Sequence, residues 1–296
     1  MMSIHNVKIG ILLLLVLILL IINIRLNYTM NWKTLQNHQK EVKNIGQQGT
    51  VNQQVLMMTH KREKQLIAAL MHLNGLSSLN KTIIVWNDPK QSPPDFTNLN
   101  LTYEIQILKQ KQNSINNRFL IYEEIKTDAI LTLDDDVYIS HNVILLCFRV
   151  WKSDKYALVG VFPRRHDWNH RDQKWHYNAG NFCPTSMVLL GCAFYNKIYN
   201  YMYRTLMPKA IIRFVDEIFN CEDLAMNFLV ANFTRRPPIR VKYQTSAYCK
   251  TCTSNLSLRK NHYEDRSKCL NQFSNIYGYM PLLYTYTSVN TDECLV

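Results

Sequence analysis

The stretch Ala129-Ile-Leu-Thr-Leu-Asp-Asp-Asp-Val-Tyr-Ile139 constrains this chain more than any other. Ala129 to Leu133 is an apolar run without strict alternation, the pattern of a strand buried on both faces of a parallel sheet. It ends in three consecutive carboxylates, Asp134, Asp135 and Asp136. Adjacent carboxylates repel one another, and a hard divalent cation with oxygen ligands is the commonest way a fold offsets that repulsion. In an open α/β sheet, ligands gather at the carboxyl ends of the strands, where these acids fall. The competing explanation is a solvated acidic turn capping a helix that starts near His141. The apolar Val137-Tyr138-Ile139 that follows weighs against it.

The flanking pattern supports an α/β sheet. Val55 to Met58, Thr82 to Trp86 and Tyr103 to Leu108 read as strands. Lys61 to Leu73 reads as a helix with Leu66, Ala69, Leu70 and Leu73 on one side, and Asn117 to Ile125 as a second helix. Strand, helix, strand, strand, helix, strand, acids is the order of a nucleotide-binding α/β half. Beyond the acids come a helix from Val143 to Trp151, a strand from Tyr156 to Phe162 and a cationic turn, Pro163-Arg164-Arg165-His166-Asp167. A long polar, aromatic loop is expected from Trp168 to Pro184, then an apolar stretch that pairs or bends at Gly191. Two helices follow, and Asn220-Cys221-Glu222-Asp223 opens a third. Asn220 can cap it, and both acids lie in its first turn, where the helix dipole favours them. Capping accounts for one acid better than for two. After a strand at Ile239 to Val241, the chain reads as basic, aromatic and irregular. With 8 glycines and neither a Gly-x-Gly-x-x-Gly nor a Gly-Lys-Thr/Ser motif, a diphosphate here needs a metal and arginines rather than a backbone cradle.

The 296 residues have room for one large domain or two small ones. Lys plus Arg exceed Asp plus Glu by 34 to 22, a net charge of +12 that suits an acidic partner. From Ile9 to Ile22 every residue but Gly10 is a large aliphatic, and no small-residue cleavage site follows. We expect a cytoplasmic tail at 1–8, an uncleaved signal-anchor helix at 9–24, a stem at 25–54 and one domain at 55–296. Sequons at Asn27, Asn80, Asn100, Asn232 and Asn255, with 8 cysteines, suit a lumenal body. That placement excludes nucleic acid as the acidic partner. Cys249-x-x-Cys252 has no second pair at zinc spacing.

Further motifs are Thr59-His-Lys-Arg62, Ile84-Val-Trp-Asn87, Asn117-Arg118, Leu133-Asp-Asp-Asp136, Phe162-Pro-Arg-Arg-His166, Ser186-Met-Val-Leu189, Asn275-Ile-Tyr277 and the stretch from Asn220 to Ala231. Together they resemble the exostosin-like glycosyltransferases, in particular the short, single-domain members, whose domain also forms the C-terminal half of the heparan sulfate polymerases. The resemblance covers roughly Val55 to Leu283, and the Asn-Cys-acid-Asp motif is its most specific part. It implies a GT-A nucleotide-sugar transferase fold, a mixed sheet flanked by helices, and retaining α-1,4 transfer of N-acetylhexosamine from a UDP-sugar with Mn²⁺ as cofactor. By matching position, Arg62, Asn87, Asn113 and Arg118 would hold the uridine and neighbouring groups. Asp134, Asp135 and Asp136 would bind ribose and metal, with Asp136 the direct metal ligand beside Asp134. Asp223 would lie at the anomeric carbon and Arg266 at the diphosphate, with Cys221 and Cys269 disulfide-bonded to tie their segments together.

The positive charge would attract an acidic, glucuronate-terminated glycan acceptor on a proteoglycan, with Arg164, Arg165, His166, Arg259 and His262 as candidate contacts. The uncleaved signal anchor gives the expectation of a single-pass type II membrane protein of the Golgi or endoplasmic reticulum, and a homodimer stays open. Asp223 would either stabilise an oxocarbenium-like sugar or act as a transient nucleophile. His60 stands where an aromatic residue is expected, and the acceptor loop near Ser257 lacks a tryptophan. Those departures motivate the second expectation, a catalytically weak glycan-binding or scaffold member.

Overall fold

The computed structural model of the chain describes residues 53–180, 183–243 and 260–290. The expected tail and anchor, most of the stem, Arg259 and the Cys249-x-x-Cys252 pair lie outside them. Among the described residues no helix is long and apolar enough to cross a membrane.

Apolar runs form the large sheet, as their patterns require. Its first four strands are β1 (Gln53–Thr59), β2 (Leu79–Trp86), β3 (Glu104–Lys109) and β4 (Ala129–Leu133). β4 is buried at all five positions, which explains its unbroken apolar run. α1 (Glu63–Leu73) covers the sheet with Leu66, Ala69, Leu70 and Leu73 on its buried side. Each leucine buried this way contributes about 1.5–3 kcal/mol. α2 (His141–Ser153) follows the acids and buries Val143, Ile144, Leu146, Cys147, Phe148 and Trp151. β1 pairs in parallel with both β2 and β4, and β2 with β3.

The chain continues through β5 (Val159–Gly160), β6 (Pro163–Asn169), β7 (Lys174–Asn178), β8 (Met187–Val188) and β9 (Cys192–Asn196). Then come α3 (Ile198–Thr205), α4 (Lys209–Ile218), α5 (Glu222–Thr234), β10 (Ile239–Lys242), α6 (His262–Tyr277) and β11 (Ser288–Asn290). The large sheet has eight strands in the order β11-β10-β5-β9-β4-β1-β2-β3, and β9 runs antiparallel to both β4 and β5. A second sheet has the order β7-β6-β8. α5 is buried at ten consecutive positions, Glu222 to Ala231, so it is a core helix rather than an amphipathic cover.

Several expectations are corrected. Gln53 and Gln54 belong to β1, not to a stem. The expected helix from Asn117 to Ile125 is a short 3-10 helix, Ile115–Phe119, followed by turns. The cationic turn at Arg164 and Arg165 is strand β6, and the following loop contains β7, paired with it. The C-terminal region holds the 16-residue helix α6. Arg266 therefore sits on a helix. Asn220 does not cap α5: Cys221 holds the cap position with no side-chain cap bond, while the Oδ1 of Asn220 accepts from the backbone N–H of Cys221.

Candidate active site

The register of the parallel strands places the acids. Leu56 on β1 pairs with Thr132 on β4, so Thr59 and Asp135, each three residues on, leave the sheet at one level. The Thr59 hydroxyl donates to Asp135 Oδ2 at 2.7 Å. Arg62, at the start of α1, forks across two acids, with Nη1 to Asp135 Oδ1 at 2.7 Å and Nη2 to Asp136 Oδ2 at 2.5 Å. Burial pushes the Asp135 carboxyl up to about 7, against the pull of Arg62 and Thr59. Burial and the neighbouring Asp134 also raise Asp136. Asp134 is the open member, its side chain 36% exposed against 3% and 5% for the other two. Its backbone N–H donates to Gly191 O, and its Oδ1 accepts from Arg118 Nη2 at 2.6 Å.

Arg118 joins this cluster to a second one. Its Nη1 donates to Thr132 Oγ1 at 2.9 Å, and its Nε lies 3.7 Å from Glu222 Oε1. Burial opposes the charge on Arg118, but Asp134 and Glu222 outweigh it and keep the guanidinium ionised. Burial and the adjacent Asp223 raise the Glu222 carboxyl. Asp223 sits beside Glu222 in the first turn of α5 and is held by Arg266, whose Nη2 donates to Oδ1 at 2.8 Å and Oδ2 at 2.6 Å. Arg266 Nη1 donates to Asn220 Oδ1 at 3.2 Å. The Cys221–Cys269 disulfide ties the start of α5 to α6, one turn beyond Arg266. Ion pairs thus join Arg62 to Asp135 and Asp136, Arg118 to Asp134 and Glu222, and Arg266 to Asp223. Sequence adjacency within the acid triplet and between Glu222 and Asp223 links the three groups. Five carboxylates meet three guanidiniums, an excess of negative charge that a divalent cation would offset.

A glycosyl transferase family 64 domain matches residues 53–294. The chain belongs to that family. It is 40% identical over 231 residues to the exostosin-like-3 homolog of Caenorhabditis elegans, covering 78% of this chain and 28% of the relative. It is 37% identical over 231 residues to human exostosin-2, covering 77% and 32%, and 33% identical over 207 residues to bovine exostosin-1, covering 69% and 28%. The chain spans about a third of the length of these relatives. The family 64 match includes every described residue of the site just built.

The remaining family 64 candidates fall in different places. Asn87 and Asn113 meet, but the buried Asn87 amide is fully used. Its Nδ2 donates to Asn113 Oδ1 and Ser114 O, and its Oδ1 accepts from Asn117 Nδ2. It organises the loop that carries Asn113. Arg164, Arg165 and His166 lie side by side on β6 in unlike settings. Arg165 pairs with Asp167 at 2.8 Å. His166 is buried, bonded through Nδ1 to Ser186 Oγ, and burial drives its pKa down to about 4. Arg164 has no carboxylate partner among the described residues and donates through Nε to Tyr177 Oη at 2.8 Å. His262 Nδ1 comes within 3.4 Å of Asn220 Nδ2, at the edge of the Asp223 cluster.

Three site residues escaped the sequence reading. Glu222 could be read only as a helix-capping acid, Gly191 as a bend and Tyr177 as part of a loop. A second acid in a first turn was the one available signal for Glu222.

Proposed function

We propose that this chain is a GT-A, retaining glycosyltransferase that moves α-GlcNAc or α-GalNAc from a UDP-sugar to a glucuronate-terminated acceptor, in heparan sulfate biosynthesis. The observation that carries this reading is the buried Asp223–Arg266 pair, joined by Arg118 and Glu222 to the acid triplet at the carboxyl end of β4. A lone acidic turn would need no such bridge.

The donor site accepts Mn²⁺ on chemical grounds. Its side chains are hard oxygen donors in charge excess, and Asp134, the most open of the triplet, would hold the cation with Asp136. Among the described residues no three His, Cys, Asp or Glu side chains converge as a closed cage. Oxygens of the donor's diphosphate would therefore complete the shell. When bound, Mn²⁺ neutralises charge on the departing diphosphate. Arg266 supplies a fixed planar cation for the same charge, preorganised by Asp223 and Asn220. Asp223 faces the sugar as its bond to the diphosphate breaks, either stabilising positive charge at the anomeric carbon or bonding to it transiently. Thr59 and Arg62 orient Asp135 for the nucleoside. Arg164 and His262 suit the acceptor carboxylate, because Arg165 is neutralised by Asp167 and His166 is buried. Residues 9–24 would anchor the protein in the Golgi or endoplasmic reticulum membrane.

The test uses soluble protein from residue 51 onward with Mn²⁺, UDP-GlcNAc or UDP-GalNAc, and a glucuronate-terminated oligosaccharide. Wild type should transfer sugar, and chelation should stop it. Asp223→Asn should lower transfer on the order of 100-fold or more. Mn²⁺-dependent UDP binding without transfer would favour a scaffold role, and absence of UDP binding by folded protein would overturn the donor site.

A further inference from the structure

We propose that Tyr177 is a positioning residue for Arg266, its ring face holding the guanidinium in register with Asp223. The claim rests on reading Asp223 and Arg266 as the reacting pair. Tyr177 lies on β7 opposite His166 of β6. The Arg266 Cζ stands over its ring, 4.7 Å from the centroid. The Arg266 side chain is only 5% exposed, and a cation over an aromatic face is worth most where water is excluded.

The hydrogen bonds of Arg266 explain why a ring is needed. Among the described residues all of them leave from the two Nη atoms, toward Asp223 and Asn220. Its buried Nε has no hydrogen-bond partner among those residues. Polar contacts thus hold the Nη end of the fork from its edge. The Tyr177 face adds a contact from the perpendicular direction, against tilting of the plane. A guanidinium rotated away from Asp223 would present its charge in the wrong plane to a departing diphosphate.

Tyr177 is itself fixed on every side. Its backbone N–H donates to Ser267 Oγ, on the residue after Arg266, at 3.0 Å. Its hydroxyl accepts from Arg164 Nε at 2.8 Å, and Tyr263 stacks against its ring at 6.2 Å between centroids. Two residues earlier on the strand, the Asn271 side chain bonds both the N–H and the carbonyl of Trp175, at 2.9 and 2.7 Å. β7 and α6 are therefore fastened at two points, with the Tyr177–Arg266 contact beside them. A mere space-filler would need the volume of this ring but not its negative face.

The experiment separates the two. Position 177 is filled with phenylalanine and then with progressively fluorinated phenylalanines, which keep the shape while weakening the face. Tyr177→Leu completes the set. kcat is measured at saturating donor, together with donor KM. Independently, the Arg266 Nε–Hε resonance is followed by NMR in protein without substrates. We expect log kcat to fall in step with fluorination, by about 3- to 30-fold across the series, with donor KM changed less than about twofold. We expect the Arg266 resonance to lose its ring-current displacement in Tyr177→Leu and to keep it in the phenylalanine variant. A flat kcat across the fluorinated series, or an unmoved Arg266 resonance, overturns the proposal. If wild type transfers no sugar, the proposed activity fails instead, and the resonance alone decides whether Tyr177 holds Arg266.

Discussion

Asp134 is held from two sides, and that makes Gly191 a residue of the site. The Gly191 carbonyl accepts the Asp134 N–H at 3.0 Å, so the β8–β9 turn lies directly against the acid. A Cβ at position 191 would fall 2.9 Å from Asp134 Oδ2. The carboxylate cannot swing away without loosening its 2.6 Å pair with Arg118. Gly191→Ala should therefore fold with a near-normal melting temperature yet lose about 10- to 100-fold in kcat/KM. A Mn²⁺ titration of transfer should show the requirement displaced to higher metal. His166 gives a residue-scale prediction of another kind. Stacked on Tyr284 and buried, it stays neutral down to about pH 4, whereas the unfolded chain takes up a proton near pH 6.5. Its contribution to stability is thus complete above pH 6.5 and is lost as pH falls toward 4, by at most about 3 kcal/mol. Denaturant titrations at pH 7 and pH 4.5 should show this loss in wild type and a smaller one in His166→Gln.

Among the elements, α5 and α6 form the unit that carries the Asp223–Arg266 pair. The backbone around Asn220 is unusual, since Phe219 and Cys221 both adopt left-handed conformations, with φ of 51° and 73°. Neither is glycine, so each conformation costs energy that the surroundings must offset. The Cys221–Cys269 bond, closing a separation of 48 residues, is one source, since a cross-link of that span removes about 4 kcal/mol of unfolded-chain entropy. Replacing both cysteines by serine should lower stability by roughly that amount in equilibrium denaturation, and transfer should fall further than the lost folded fraction explains. How legible these elements were follows from what they bury. β1, β2 and β4 bury largely continuous apolar runs and α1 an apolar stripe at the helix period, and the sequence displays them openly. α6 buries Arg266, Cys269, Leu270 and Phe273. An arginine on the buried stripe defeats a hydrophobic pattern. β6 and β7 are rich in charged and aromatic residues because part of their surface lies against the site and part against solvent. The placement of the acid triplet at the carboxyl end of a buried strand was legible from the sequence alone. The Asp223–Arg266 pair came from family resemblance, and the Arg118–Glu222 bridge joins residues distant in sequence with no local pattern to announce it.

At the scale of the whole chain, the net charge and the charge of the candidate site have opposite signs. The net charge is +12, yet the site carries five carboxylates against three guanidiniums. A net positive charge favours the approach of acidic partners, while the excess of carboxylates leaves the candidate site locally negative. Arg118 is where the two halves of that site meet, because it pairs with both Asp134 and Glu222. Arg118→Met would leave two carboxylates facing each other without their shared cation. Glu222 is buried and would lose its cation partner, so the metal-free variant should melt below wild type. Divalent cation with UDP should then raise the melting temperature of the variant by more than it raises that of wild type, because the added charge now meets a larger uncompensated excess. Thermal melts of both proteins, with and without Mn²⁺ and UDP, provide the comparison. Equal increments would show that Asp134 and Glu222 do not share one electrostatic field, and the donor and reacting halves would then have to be treated as separate sites.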